Sequence, residues 1–334
     1  MLYSEYRTIE MINHEHFMQG VTIQHLRFEV QPTESIVFGG QPGTALRGAL
    51  YQVLSDSFCS EPNGMLTPDH VARCPVCWLL AAEDQGAARG QNIPRPLMIE
   101  PPPAQTYHRG EPLVFGLTVV GRAQDMFPYL ARAVQKMGVA GLGKGRGRFR
   151  LVSIAEYHPL EGVERSILEH NFVRQPVHQV TPADISRAAA HYSSERVGLE
   201  LLTPLRLTSH KELVKFPEPV AFIQRLVERC QRIAEYYAES QTPPSRSEWF
   251  TLYHELSAIA AKVCIVSNDT EWVEVYSGSR RQQRYTPISG LTGRVEWAGP
   301  LKELLPWLLW GQSLHVGKNA VKGDGWYRVS PAGV

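Results

Sequence analysis

Two halves of the chain repeat one order of strand, helix, glycine-rich loop and strand. That duplication, with an alternating strand and a helix at the head of each half, predicts an α+β fold of two tandem ferredoxin-like domains. The sheets are expected to be antiparallel, and each domain to carry its glycine-rich loop near its C-terminal end. The segment "FPYLARAVQKMGVAGLGKGRGRFRLVSI" (127–154) parallels "LPWLLWGQSLHVGKNAVKGDGWYRVSP" (305–331), with Gly143 matched to Gly317.

Each element follows from its pattern. "VTIQHLRFEVQP" (21–32) alternates as a half-buried strand, and "GTALRGALYQVLSDSF" (43–58) has helical spacing. "EPLVFGLTVVG" (111–121) supplies the strand before the first duplicated helix. In the second half the same roles fall to "RVGLELLTPLRLTSH" (196–210), "EPVAFIQRLVERCQRIAEYYAES" (218–240) and "GLTGRVEWAG" (290–299). The expected domains are 1–155 and 196–334, joined by a connecting segment, 156–195, that contains the short helix "TPADISRAAAHYSS". Two insertions stand out: 59–107, rich in Cys, Pro and Gly, and the turn "SQTPPSRSE" (240–248). An RNA-recognition module has the same four-stranded antiparallel sheet.

Bulk properties narrow the function classes. A chain of 334 residues suits two domains, and 43% hydrophobic with 20% charged residues is a soluble balance without a membrane-length apolar run. The start of the chain has no basic-then-apolar leader, so a cytoplasmic protein is expected. A net charge of +1 means that any polyanion surface must be local.

The first loop, "GLGKGRGRFR", sets Lys144, Arg146, Arg148 and Arg150 among glycines that expose backbone N–H groups, which suits phosphate. It lacks the Gly-Lys-Ser/Thr ending of a Walker loop and the strand-to-helix setting of a dinucleotide fingerprint. Either it binds a phosphate backbone or it is a basic, solvated turn. The second loop adds His315, Lys318 and Lys322. A histidine can move a proton near neutral pH and lysines can stabilise a phosphorane, although a histidine at a strand entrance also commonly serves packing.

On the first helix Arg47 and Tyr51, four apart, share a face; they either orient a phosphodiester strand or pack at a seam. "YSGSRRQQRY" (276–285) brings Arg280, Arg281 and Arg284 between two tyrosines, fitting either RNA or a solvated hairpin. In "CSEPNGMLTPDHVARCPVC", Cys59, Cys74 and Cys77 with His70 suggest a structural zinc, with buried free thiols as the alternative and a zinc hydrolase disfavoured by the thiolate-rich set.

In order, "ALRGALYQVL", "CPVCWLL", "GLGKGRGRFRL", "LTPLRL", "YSGSRRQQRYTPISGLTGRVEW" and "LHVGKNAVKGDGWYRV" make the chain resemble the CRISPR-associated endoribonucleases of the RAMP superfamily, which process precursor CRISPR RNA. The resemblance spans nearly the whole length. It implies two ferredoxin-like domains, CRISPR repeat RNA as partner and substrate, and cleavage without a metal cofactor that leaves a 2′,3′-cyclic phosphate. It also implies delivery of the guide to interference-complex subunits. In that reading His315 is general acid or base, Lys318 and Arg281 stabilise the phosphorane, and Arg47 and Tyr51 orient the strand. The alternative is a non-catalytic RNA-binding subunit of an effector complex. Two departures bear on this. The first helix has Tyr51 and Gln52 where many relatives carry a histidine, and the last loop reads "KGDGWY" in place of a Phe-Gly-x-Gly-aromatic pattern.

Overall fold

The computed structural model describes residues 13–61, 67–81, 93–169, 172–279 and 284–332. It divides into two compact units: residues 23–179 with 321–323, and the remainder.

The sheet of the first unit runs, edge to edge, Leu97–Glu100, Leu113–Val120, Ile23–Pro32, Phe149–His158 and Val163–Ser166, all antiparallel. Its centre is Ile23–Pro32, where Phe28 sits across from Phe115 on one side and Ile154 on the other. Alternation sends Leu26, Phe28 and Val30 into one core with Leu46, Leu50 and Leu54 of helix Pro42–Phe58 and Leu130, Val134 and Met137 of helix Phe127–Ala140. Each fully buried side chain of this kind contributes about 1.5–3 kcal/mol. Helix Pro42–Phe58 starts cleanly, with Pro42 in its first turn and the Gln41 side chain accepting the Thr44 N–H (3.2 Å).

The second unit repeats the topology, with sheet order Cys264–Val273, Gly290–Ala298, Arg196–Leu205, Tyr327–Ser330. Helix Pro219–Tyr237 buries Phe222, Leu226, Cys230, Ile233 and Tyr237, a single stripe at helical spacing. Helix Leu305–Leu314 has Gly311 where a Cβ would lie 2.1 Å from the Tyr327 hydroxyl, which itself donates to the Leu308 carbonyl (2.6 Å). Among the described residues no helix is long and apolar enough to cross a membrane.

The chain divides between the units at other points than 155 and 196. Strand Val163–Ser166 extends the first sheet, and the buried Glu156 carboxylate accepts the N–H groups of Val177 (2.7 Å) and His178 (2.9 Å), so 156–179 stays with the first unit. Helix Pro182–Ala189, opened by a Thr181–Asp184 capping box, and helix His14–Phe17 belong to the second. The expected insertion 59–107 also contains a sheet strand, Leu97–Glu100. All four of its residues are buried, so it lacks the alternation that marks a strand.

Helix His14–Phe17 is pinned by aromatic packing and by one histidine. Phe17 packs edge-on to Trp249 (4.8 Å between ring centres), and Trp310 Nε1–H donates to His14 Nδ1 (3.3 Å). His14 Nε2 lies 2.9 Å from Ser186 Oγ, so the ring is held neutral with its proton on Nε2. Burial lowers its pKa from the ordinary 6.5 to about 4. The unfolded chain therefore takes up this proton first on acidification. Stability is intact above pH 6.5 and falls by up to about 3 kcal/mol as the pH drops toward 4. Urea unfolding between those pH values should show the loss in the wild type and a flatter profile in His14→Gln; parallel profiles would contradict the assignment.

Candidate functional site

The first loop is built by left-handed backbone. Gly141 (φ 83°) ends helix Phe127–Ala140, and the Leu142 N–H reaches the Gly147 carbonyl (2.9 Å). Gly143 (φ 73°) then turns the chain so that the Lys144 N–H donates to the Val37 carbonyl (2.8 Å). A Cβ at Gly143 would lie 2.6 Å from that carbonyl oxygen, and one at Gly147 would lie 2.2 Å from the Ser35 oxygen, so only glycine lets the two backbones lie together.

Lys144, Arg146, Arg148 and Arg150 are all exposed on this loop and the strand it leads into. Two of them have partners: Arg148 pairs with Glu34, Nε to Oε1 at 2.9 Å, and Arg150 Nε donates to Gln31 Oε1 (2.8 Å). The Arg148 guanidinium holds the Glu34 carboxyl below the usual carboxylate range. Among the described residues, Lys144 and Arg146 have no acidic partner within ion-pair distance. They are the loop's most available cations.

The second loop reproduces this path. The Val316 N–H donates to the Gly325 carbonyl (3.0 Å), Gly317 has φ 84°, and the Lys318 N–H donates to the Arg206 carbonyl (3.2 Å). Lys318 is exposed. The residue in the place of Gly141 is His315, which closes helix Leu305–Leu314 at φ 58°, ψ 158°, a region that glycine almost alone occupies.

His315 is fully buried, with its ring stacked on Trp326 (6.2 Å between centres, 17° between planes). The ring has no exposed surface through which to meet a phosphate, which speaks against the acid–base role expected for it. Asp324 is buried as well and presents no surface charge to an anion. Lys322 is half-buried and lies with the first unit, where its carbonyl approaches Gly43 so closely that a Cβ there would be 1.9 Å away.

Arg47 does not face outward as a phosphate clamp would. Its Nη2 donates to the Leu80 carbonyl (3.0 Å), anchoring helix Pro75–Ala81, and Tyr51 packs half-buried against the core. Arg280 and Arg281 lie outside the described residues. Arg284 pairs with Ser279 through the backbone of a hairpin formed by Tyr276–Ser279 and Arg284–Pro287.

The cysteine–histidine group does come together. His70 Nε2 is 3.3 Å from both Cys59 Sγ and Cys77 Sγ, those sulfurs are 3.8 Å apart, and with Cys74 all four donor atoms lie within 4.8 Å of one another. Burial, then Cys74 and Cys59, push the Cys77 thiol well up. The structural role of His14 had no sequence signal, since its partners Ser186 and Trp310 are remote in the chain. The equivalence of His315 to Gly141, by contrast, follows directly from matching Gly143 to Gly317.

Residues 199–327 match the family model described as CRISPR-associated endoribonuclease Cas6. Residues 21–182 match the AF_1859 N-terminal domain model. Among solved structures, the chain is similar to a Cas6 product complex (15% identity, TM-score 0.56, 92% of this chain and 100% of that one). It is likewise similar to Thermus thermophilus Cas6 (15%, 0.53, 93% and 99%). It also matches a chain of a partial Cas6-RT-Cas1–Cas2 complex at 14% identity and TM-score 0.59, over 94% of its own length and 47% of that chain, so it spans about half of that larger protein. No curated protein matches the sequence.

The placement of His315 predicts an order of stabilities. His315→Ala loses the buried ring and should lower the unfolding free energy by about 2–4 kcal/mol. His315→Gly loses the same ring but gains the permitted backbone, and should be about 1 kcal/mol more stable than the Ala variant. An Ala variant as stable as the Gly one, in denaturant titration, would show that the backbone at 315 carries no strain.

Proposed function

We propose that the protein is a metal-independent endoribonuclease that binds CRISPR repeat RNA and cuts precursor CRISPR RNA to generate guide RNA. The observation that carries this reading is the repeated left-handed glycine loop with exposed cations, Lys144 and Arg146 in one copy and Lys318 in the other, in a chain whose residues 199–327 match the Cas6 model. Such a loop offers exposed cations to the phosphates of an RNA strand and so helps to position it. The 2′-oxygen then attacks the adjacent phosphorus and the bond from phosphorus to the 5′-oxygen breaks. The 2′-OH proton goes to solvent and the departing 5′-oxygen takes one up, leaving a 2′,3′-cyclic phosphate upstream. Cations absorb the charge that grows on the phosphorane. With His315 enclosed, the reaction runs on alignment and electrostatics with water as base, which makes it slow. The cysteine–histidine cluster takes no step in it. The substrate assigns the protein to the cytoplasm, and subunits of a CRISPR interference complex are the partners that would receive the guide.

The burial of His315 favours a second reading, a subunit that holds repeat RNA without cutting it. The two separate in one assay: end-labelled repeat RNA incubated with excess protein in EDTA, beside a repeat carrying a 2′-deoxy sugar at the cut. Cleavage of the native strand only, with a cyclic phosphate on the upstream product, is expected. Bound but intact RNA in every lane would establish the second reading.

A further inference from the structure

We infer that Cys59, His70, Cys74 and Cys77 bind one zinc ion in a closed tetrahedral site that fastens the C-terminal end of helix Pro42–Phe58 to the two short helices following it. Zinc takes sulfur at about 2.3 Å and imidazole nitrogen at about 2.0–2.1 Å, so a tetrahedral site sets sulfurs about 3.8 Å apart and sulfur about 3.5 Å from nitrogen. Cys59 and Cys77 are 3.8 Å apart, and each is 3.3 Å from His70 Nε2. A disulfide requires its sulfurs at about 2.05 Å and would leave a third thiol and an imidazole converging on it without purpose.

Local structure delivers each donor. Cys59 is the C-cap of helix Pro42–Phe58, its N–H bonded to the Ser55 carbonyl. The Thr67 hydroxyl accepts the His70 N–H (3.2 Å) at the start of helix Pro68–Arg73. Cys74 caps that helix through its N–H to the His70 carbonyl (2.8 Å), and Pro75 starts helix Pro75–Ala81, which carries Cys77 in its first turn. Behind His70, Glu61 Oε1 stands 3.7 Å from Nδ1, on the side away from the sulfurs and beyond hydrogen-bond distance.

The donor set selects the ion and its role. Three sulfurs and one nitrogen, with no carboxylate among them, suit zinc and exclude magnesium and calcium, and four protein ligands leave no open position for a substrate. The ion therefore acts on structure. It works beside two other ties on the same segment, the Arg47 bond to the Leu80 carbonyl and Arg122 stacked over the Trp78 ring (4.6 Å).

The test is metal analysis of tag-free protein grown with added zinc and dialysed. One equivalent of zinc per chain is expected, with loss in Cys77→Ser and Cys74→Ser and retention in Cys264→Ser, whose thiol is exposed elsewhere. If the ligand variants fail to fold, cobalt-substituted wild-type protein reads the same set through thiolate-to-cobalt charge transfer and tetrahedral d–d bands. Zinc far below one equivalent, zinc retained in folded Cys77→Ser, or a cobalt spectrum without thiolate bands would each overturn the assignment.

Discussion

One backbone hydrogen bond, used twice, organises what this protein offers to a partner. In each domain the residue after a left-handed glycine donates its N–H to a carbonyl beyond the first strand: Lys144 to Val37 and Lys318 to Arg206. The bond is possible only because Gly143 and Gly317 present no Cβ to that carbonyl, each hypothetical Cβ lying 2.6 Å from it. Once the loop is latched to the strand, the side chain of the donating residue points to solvent. The loop thus turns a local conformational constraint into a fixed cation.

The two copies have diverged at the residue before the latch. Gly141 adopts its positive φ without penalty, whereas His315 holds a similar conformation with a side chain. The buried ring stacked on Trp326 offsets that strain, so the second loop is held by packing as well as by hydrogen bonds. In the proposed reaction, charge stabilisation therefore comes from where the loops place positive charge.

Much of this was legible in the sequence. The repeat, the alternating strands and the apolar stripe Phe222–Leu226–Cys230–Ile233 have periods that report their own fold, and the cysteine spacing announced a cluster that the structure brings together. What the sequence hid was pairing across distance. Nothing local tells that Arg148 faces Glu34, that Arg47 reaches the Leu80 carbonyl, or that Phe17 and His14 pack among Trp249, Trp307 and Trp310. Strand Cys264–Val273 was hidden for another reason: most of its residues are exposed or half-exposed, so it carries little apolar alternation. The charged residues were the hardest to place, because an arginine that binds phosphate and one that ties two elements together look alike until their neighbours are known.

The central claim is that Lys144 and Arg146 meet RNA phosphates, while Arg148 is largely occupied by Glu34. The most direct measurement is the salt dependence of repeat-RNA affinity for the wild type and for Lys144→Ala, Arg146→Ala and Arg148→Ala. Each phosphate contact to a single strand contributes about 0.7 to the slope of log affinity against log salt. The account predicts a slope shallower by about that amount for Lys144→Ala and for Arg146→Ala, and a smaller change for Arg148→Ala. Slopes unchanged in the first two variants would contradict it, as they would show that the glycine loop does not hold the RNA backbone.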